Sequence, residues 1–414
     1  MQIFEAMQII NSFSKLGKPV TDLSRFQILM DKLGNPQDKL KFVHVAGTNG
    51  KGSTVRMLSE MLIHAKYKTG EFTSPYIHKY NDRIKVNGIN IPDRDLCMIL
   101  EEILPALHYT KDDYSQFEIT TAIAFMYYNY MKCDIVVLET GIGGLLDCTN
   151  IIKDPVVSVI TSISLDHTKI LGDTIEQIAK HKSGIIKQGC PVVLAPHNSY
   201  EVKDIVYKAA AINNSYFCTP NLDRLKIEKS DCTGNRFVYK NFTYNTGMIG
   251  RHQIDNALTA IETAEIIKRN GFDNLNFVNI YEGIRTAALP LRCQILREKD
   301  PMVIVDGAHN PDGMKTLAEL IKALPYHPKI LVCGMLKDKD WPNAVSYISP
   351  IIDRAICVDG FISNTVFAPT LAEQFKDAET SGIDNAMFRA INLAGKGGLV
   401  IVAGSLYLAS VIIK

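Results

Sequence analysis

The residues best suited to chemistry lie in one short run. An apolar stretch, KFVHVA, leads into Gly47-Thr48-Asn49-Gly50-Lys51-Gly52-Ser53-Thr54, and a helical pattern follows through His64. Glycines free the backbone so that successive N–H groups converge on phosphate oxygens, and the start of a helix adds positive potential there. Lys51 supplies a point charge for β- and γ-phosphates, and the hydroxyl of Ser53 or Thr54 can reach a magnesium ion. A plain turn between strand and helix would account for the glycines, but not for a lysine and a serine in register behind them. The loop indicates a nucleoside triphosphate. By itself it leaves kinase, switch and ligase open.

Other candidates are dispersed. Glu139 ends the apolar strand DIVVLE, and ligand sites of α/β sheets gather at the carboxyl ends of strands, so it reads as a Walker-B-like acid. On its own residues His167 is more often a helix-start or surface histidine. Ser74 before Pro75 reads as a turn serine, and Lys182 as a lysine paired with a carboxylate or phosphate. DGAHN at Asp306–Asn310 reads as a strand entering a turn, with Asn310-Pro311 opening a helix.

These residues need elements to hold them. Short apolar runs alternate with helical patterns throughout, which predicts an α/β fold with mostly parallel sheets covered by helices. Early strands are expected at Phe42–Val45, Asp134–Glu139, Val156–Thr161 and Pro191–Ala195, with a small antiparallel insertion within Leu225–Tyr244. The last third repeats strand then helix, its strands at Met302–Val305, Ile330–Cys333, Ala355–Val358 and Leu399–Val402. Helices there begin near Pro311, Trp341 and Pro369, prolines suiting a first turn. The run GLVIVAGSLYLASVII reads as a strand, a Gly-Ser turn and a final helix. A chain of 414 residues calls for two domains, and the boundary is placed near Thr286–Pro290. Residues 1–287 then form a P-loop ATP-binding domain and 288–414 a Rossmann-like domain.

Composition narrows the class. With 46% hydrophobic and 21% charged residues the chain reads as soluble and globular, and a net charge of +1 gives no field to recruit nucleic acid or an anionic membrane. Nine scattered cysteines without a C-x-x-C pair argue for reduced thiols in a cytoplasmic protein rather than disulfides or a zinc site. No signal peptide is read at MQIFEAMQII.

The form G-T-N-G-K-G-S resembles the loop of Mur-type ligases, and more narrowly that of the folylpolyglutamate synthase / dihydrofolate synthase family. Further blocks agree with that family in order and spacing. They are LGNPQ (33–37), TSPY (73–76) followed by Arg83-Ile84, ETGIGGLLDCTN (139–150), LDH (165–167), LGDTIEQIAKHKSGIIK (171–187), HQIDNA (252–257), DGAHNPDG (306–313), GMLKDKD (334–340) and GSLYL (404–408). The resemblance covers nearly the whole chain. DGAHNP and the glycine loop are its most specific parts.

The resemblance implies an ATP-dependent ligase that activates a carboxylate as an acyl phosphate for attack by an amine. The expected reaction adds L-glutamate to a reduced folate, with conversion of dihydropteroate to dihydrofolate as a second activity. The alternatives are a monofunctional dihydrofolate synthase and, from a different class, a non-catalytic P-loop ATP-binding switch. A switch would need neither Lys182, nor DGAHNP, nor the second α/β domain.

Residue by residue, the resemblance implies catalytic roles for Lys51, Lys182 and His309. It gives ATP contacts to the glycine loop, Asn256, Arg292 and Asp306. Two magnesium ions would be held by Ser53, Ser74, Glu139, His167 and Lys182, the lysine as a carbamate, with potassium as a further cation. Pterin contacts fall to Thr21, Asp22 and Leu23 and to Leu146, Asp147 and Cys148. The chain departs from the family pattern at Tyr76 (usually His), Leu145 (usually Arg), His181 (usually Glu) and Ser183 (usually Ala). The expected partners are small molecules alone, on a monomer.

Overall fold

The first sheet is built around the strand that feeds the glycine loop. The structure, a computed structural model, describes residues 1–14, 21–110 and 114–413. Its early strands are β1 (Phe42–Ala46), β2 (Thr69–Phe72), β3 (Ile84–Val86), β4 (Ile89–Asn90), β5 (Ile135–Glu139), β6 (Val157–Ile160), β7 (Val192–Leu194) and β8 (Phe217–Cys218). They form one sheet in the order β4-β3-β2-β5-β1-β6-β7-β8. It is parallel from β2 to β8, with β3 and β4 antiparallel at one edge. Every residue of β1, β5 and β6 is buried, as a strand covered on both faces requires, which is why they read as unbroken apolar runs. The register sets Val45 beside Glu139 and Ala46 beside Ile160. Glu139 therefore ends its strand where the glycine loop begins.

Helices Ile3–Ser12, Ser24–Lys32, Asp93–Thr110 and Gln116–Tyr130 close a core with Phe42, Phe72 and Leu138, where the Phe42 and Phe125 rings meet edge to face at 5.5 Å. Helices Ile175–Ser183 and Tyr200–Ile212 close a second core over Ala46, Ile160, Val192 and Leu194. The helix Lys51–His64, which starts inside the loop, packs on Phe277–Thr286 so closely that a Cβ at Gly283 would lie 2.5 Å from Met61.

Later strands are β9 (Leu225–Asp231), β10 (Gly234–Tyr239), β11 (Phe242–Thr246), β12 (Gln294–Arg297), β13 (Met302–Val305), β14 (Lys329–Cys333), β15 (Arg354–Cys357), β16 (Ala378–Thr380) and β17 (Leu399–Ala403). The first three make the antiparallel insertion. The rest form a sheet in the order β12-β13-β17-β14-β15-β16, parallel except for β12. Its helices start where the prolines indicated, and Asn310 caps Pro311–Ala323 by accepting the Gly313 N–H.

The chain divides into two units. One comprises Met1–Ile163, Thr174–Asp223 and Asp255–Thr286, and the other Ser164–Asp173, Arg224–Ile254 and Ala287–Lys414.

Sequence reading missed β2 and the short edge strands. In β2 (TGEF) the fully buried Glu71 is neutralised by Arg56 at 2.7 Å and Lys85 at 2.9 Å, so tertiary ion pairs hide a strand behind a polar pattern. The nine cysteines are free thiols. No helix among the described residues is long and apolar enough to cross a membrane.

Candidate active site

In the first unit the glycine loop is shaped by close approach. Gly50 has φ 84° and sits so near Asn256 that a Cβ would lie 2.3 Å from Asn256 Oδ1; at Gly47 a Cβ would lie 1.7 Å from Thr161 Oγ1. Only glycine fits either place. The end of β6 fixes the outer side of the loop. Thr48 N–H donates to Ser162 O at 2.6 Å, and the Thr161 hydroxyl donates to Asn49 O at 2.7 Å.

Two amines converge on the same carbonyl. Lys182 Nζ, on a side chain that is nearly wholly buried, donates to Gly47 O at 2.6 Å, and Lys51 Nζ donates to Gly47 O and Thr48 O at 3.1 Å each. Lys51 also faces Glu139 Oε1 at 3.9 Å, and Glu139 Oε2 accepts the Ser74 N–H at 3.3 Å. Like charges this close repel, so an anion or a change of charge on one amine stabilises the arrangement. A polyphosphate supplies the first.

The expected pterin residues fall in two places on this unit. Asp22 Oδ1 accepts the Ser24 N–H at 2.8 Å, opening the helix behind Thr21 and Leu23. Arg25 on that helix grips the buried Glu118 through both Nε and Nη2, at 2.7 to 3.1 Å. Sequence reading missed this pair, although the Ser115–Glu118 capping box is visible as S-x-x-E. Leu146 is half-buried. Asp147 is buried and bonded within its own loop; burial raises its pKa against the pull of the Thr149, Ile142 and Gly141 hydrogen bonds. Cys148 is buried with its Sγ 3.2 Å from the Thr121 hydroxyl, and burial pushes its thiol pKa far up, making it an apolar wall rather than a nucleophile. Of the departures from the family pattern, Tyr76 stacks on the Arg83 guanidinium at 5.2 Å, and Leu145 is 48% exposed, its N–H donating to His181 O at 2.7 Å.

His167 and His309 belong to the second unit, with Asp306 and Arg292. Asp166 Oδ1 takes Lys339 Nζ at 2.6 Å, while Oδ2 accepts Asn310 Nδ2 at 3.2 Å and faces His309 Nε2 at 3.6 Å. Lys339 Nζ also lies 3.3 Å from His167 Nε2, so that nitrogen acts as an acceptor there. Burial opposes ionisation of Asp166, but the facing His309 and the Lys339 charge outweigh it and hold the carboxyl well below its usual range. Asp306 Oδ1 accepts the Ala308 N–H and Oδ2 the Cys293 N–H, each at 2.7 Å, and His309 Nδ1–H donates to Gly307 O at 2.8 Å. Asp166 and Lys339 went unread in the sequence, though both lie in blocks (LDH, GMLKDKD) that carry the resemblance.

Among the described residues no three His, Cys, Asp or Glu side chains cluster as a metal cage. The donors instead suit magnesium brought in with a nucleotide. That ion takes few protein oxygens and keeps water and phosphate, and the buried Glu139 carboxylate and the buried Ser53 hydroxyl on the loop's helix are hard oxygen donors of this kind. The expected metal set is divided: Ser53, Ser74, Glu139 and Lys182 stand in the first unit and His167 in the second.

A glycine loop feeding a helix from a central parallel strand, with an acidic residue ending the neighbouring strand, defines a P-loop nucleotide-binding unit. The Mur ligase middle domain matches residues 45–264, and the Mur ligase glutamate ligase domain matches residues 291–406. These define an ATP-dependent ligase of the Mur type. A dihydrofolate synthase/folylpolyglutamate synthase of Bacillus subtilis is 36% identical over 95% of this chain and 94% of its own length. The folylpolyglutamate synthase of Lacticaseibacillus casei is 31% identical over 100% of this chain and 98% of its own. The solved structure of E. coli FolC in complex with DHPP and ADP superposes with a TM-score of 0.88 at 28% identity, covering 100% of this chain and 97% of that one. The chain belongs to the folylpolyglutamate synthase / dihydrofolate synthase family.

Proposed function

We propose that this protein uses ATP to add L-glutamate to the carboxylate of a reduced folate, through an acyl-phosphate intermediate. The observation carrying the reading is the convergence of Lys51 and Lys182 on Gly47 O beside Glu139, in a chain whose later residues match a glutamate ligase domain. The loop amides and Lys51 bind and orient the triphosphate, and their positive potential stabilises the charge of the transferring phosphoryl group. Magnesium, held by Ser53, Ser74, Glu139, His167 and a carbamylated Lys182, would neutralise phosphate oxygens. Asn256, Arg292 and Asp306 are assigned to the nucleoside and His309 to the transferred phosphate. Thr21–Leu23 and Leu146–Cys148 are assigned to the pterin. The ATP-binding and ligase functions divide near residue 287, potassium is a further cation, and the protein acts as a cytoplasmic monomer without nucleic-acid or membrane partners.

Dihydropteroate is the second carboxylate substrate. The chemistry is the same, since only the identity of the activated carboxylate changes, and the B. subtilis relative carries both activities in its name. Purified protein given ATP, L-glutamate and either tetrahydrofolate or dihydropteroate is expected to yield a product one glutamate heavier from each, as read by mass spectrometry. Product from tetrahydrofolate alone eliminates the second activity, and no product from either overturns the folate reading.

A further inference from the structure

A histidine in the middle of β1 is engaged in nothing described so far. His44 is wholly buried, and its Nε2 lies 2.9 Å from the Thr149 hydroxyl, 105 residues on. That hydroxyl lies 2.5 Å from Asp147 Oδ1. Asp147 in turn accepts the Thr149 N–H on Oδ1 at 3.0 Å, and the Gly141 and Ile142 N–H groups on Oδ2 at 2.9 Å each. One carboxylate thus closes the loop that runs from Gly141, just after Glu139, to Thr149.

The proton positions follow from counting. A threonine hydroxyl has one proton to give. Given to Asp147, whose other neighbours here are all donors, it leaves the Thr149 oxygen as the acceptor for His44. His44 is therefore the neutral Nε2–H tautomer. Its Nδ1, buried, has no hydrogen-bond partner among the described residues, as suits a lone pair rather than an N–H left unsatisfied.

We propose that His44 is a positioning residue for substrate binding: by donating to Thr149 it fixes the hydroxyl that orients Asp147, and so holds the Gly141–Thr149 loop in its binding shape. The proposal rests on the reading of Leu146–Cys148 as the pterin subsite. His44 touches no reacting atom, and it acts through two intermediate side chains.

The test varies dihydropteroate (or tetrahydrofolate) and ATP separately for the wild type, His44→Phe, His44→Gln and Thr149→Val. His44→Phe and Thr149→Val are expected to raise KM for the pteridine about tenfold, the equivalent of one lost buried hydrogen bond, with KM for ATP unchanged. His44→Gln, which can present an amide N–H near the position of Nε2–H, should stay within about twofold of wild type. Hydrogen exchange gives a readout independent of substrate: amides 141–149 should lose protection in His44→Phe and Thr149→Val and keep it in His44→Gln. If His44→Phe does not fold, the nearly isosteric Thr149→Val decides. Equal effects on both KM values, failure of glutamine to rescue, or unchanged exchange in Thr149→Val overturns the proposal. If the wild type makes no product from any pteridine, the folate reading falls, and the exchange data still decide whether His44 holds the loop.

Discussion

The glycine loop of the first unit and the Asp166 cluster of the second gather charge in opposite ways. Around Gly47 the shape is made largely by backbone: glycines at positive φ, carbonyls tied to the end of β6, and lysines that donate to main-chain oxygens. Around Asp166 side chains hold one another, with Lys339, Asn310 and His309 closing on one carboxylate. A side chain can be removed from the first arrangement and leave its frame standing. Taking one from the second leaves a buried charge without its counterpart.

Lys51→Ala should show the largest effect. Loss of its point charge is expected to lower turnover roughly 10³-fold, with the melting temperature unchanged; ADP release and thermal unfolding check the two halves of that statement. Marked destabilisation would break the comparison. Lys182→Ala should cost roughly 10²-fold in turnover, and a short-chain carboxylate or high bicarbonate should restore part of it if a carbamate is the working form. An unmodified Lys182 in a well-resolved metal-loaded crystal structure would refute the carbamate.

Lys339→Ala is expected to act on the fold as well, destabilising by about 3 kcal/mol, as breaking a buried pair does, with Lys339→Arg milder; denaturant unfolding measures both. If Lys339→Ala loses turnover and keeps full stability, the second region is as frame-like as the first.

The smallest effect is a pH slope. Burial, aided by the Lys187 charge, lowers the pKa of His44 to about 3 from an ordinary 6.5. The unfolded chain therefore takes up a proton below about pH 6.5 that the folded chain refuses, and stability falls as pH drops from about 6.5 toward 3. Asp166, whose carboxyl is held well below its ordinary 3.8, adds a loss of the same sign that begins only below that value. Between pH 6.5 and 4.5 the slope should approach one proton, about 1.4 kcal/mol per unit, and His44→Gln should abolish that share.

The same contrast explains what could be read in advance. Gly47, Gly50 and Lys51 announce themselves because a phosphate loop is local: its residues are consecutive and its chemistry needs those types. The strands β1, β5, β6, β13, β14, β15 and β17 were legible because burial on both faces leaves unbroken apolar runs. Lys339 and Asp166 are 173 residues apart in sequence, and nothing near either one names the other. His167 was legible only through the family pattern, and its neighbour Asp166, which makes the tighter contact with Lys339, was passed over. β2 was hidden by Glu71, whose ion partners stand 15 residues before it and 14 after. His44 looked like one more residue of an apolar strand, because its partner lies on a loop 105 residues away.

The position of β1 in its sheet also bears on how the chain is made. It precedes both of its neighbours in chain order, lying between β5 and β6, which begin at residues 135 and 157. While the nascent chain is shorter than that, Phe42–Ala46 is an apolar strand with both edges unpaired, open to association with other chains. The glycine loop gains its fixed shape only when Thr161 and Ser162 arrive to hold Thr48 and Asn49. Closing contacts of such long sequence separation is slow. Truncated products ending before residue 135 should therefore aggregate and bind no nucleotide, although the whole loop is already present in them.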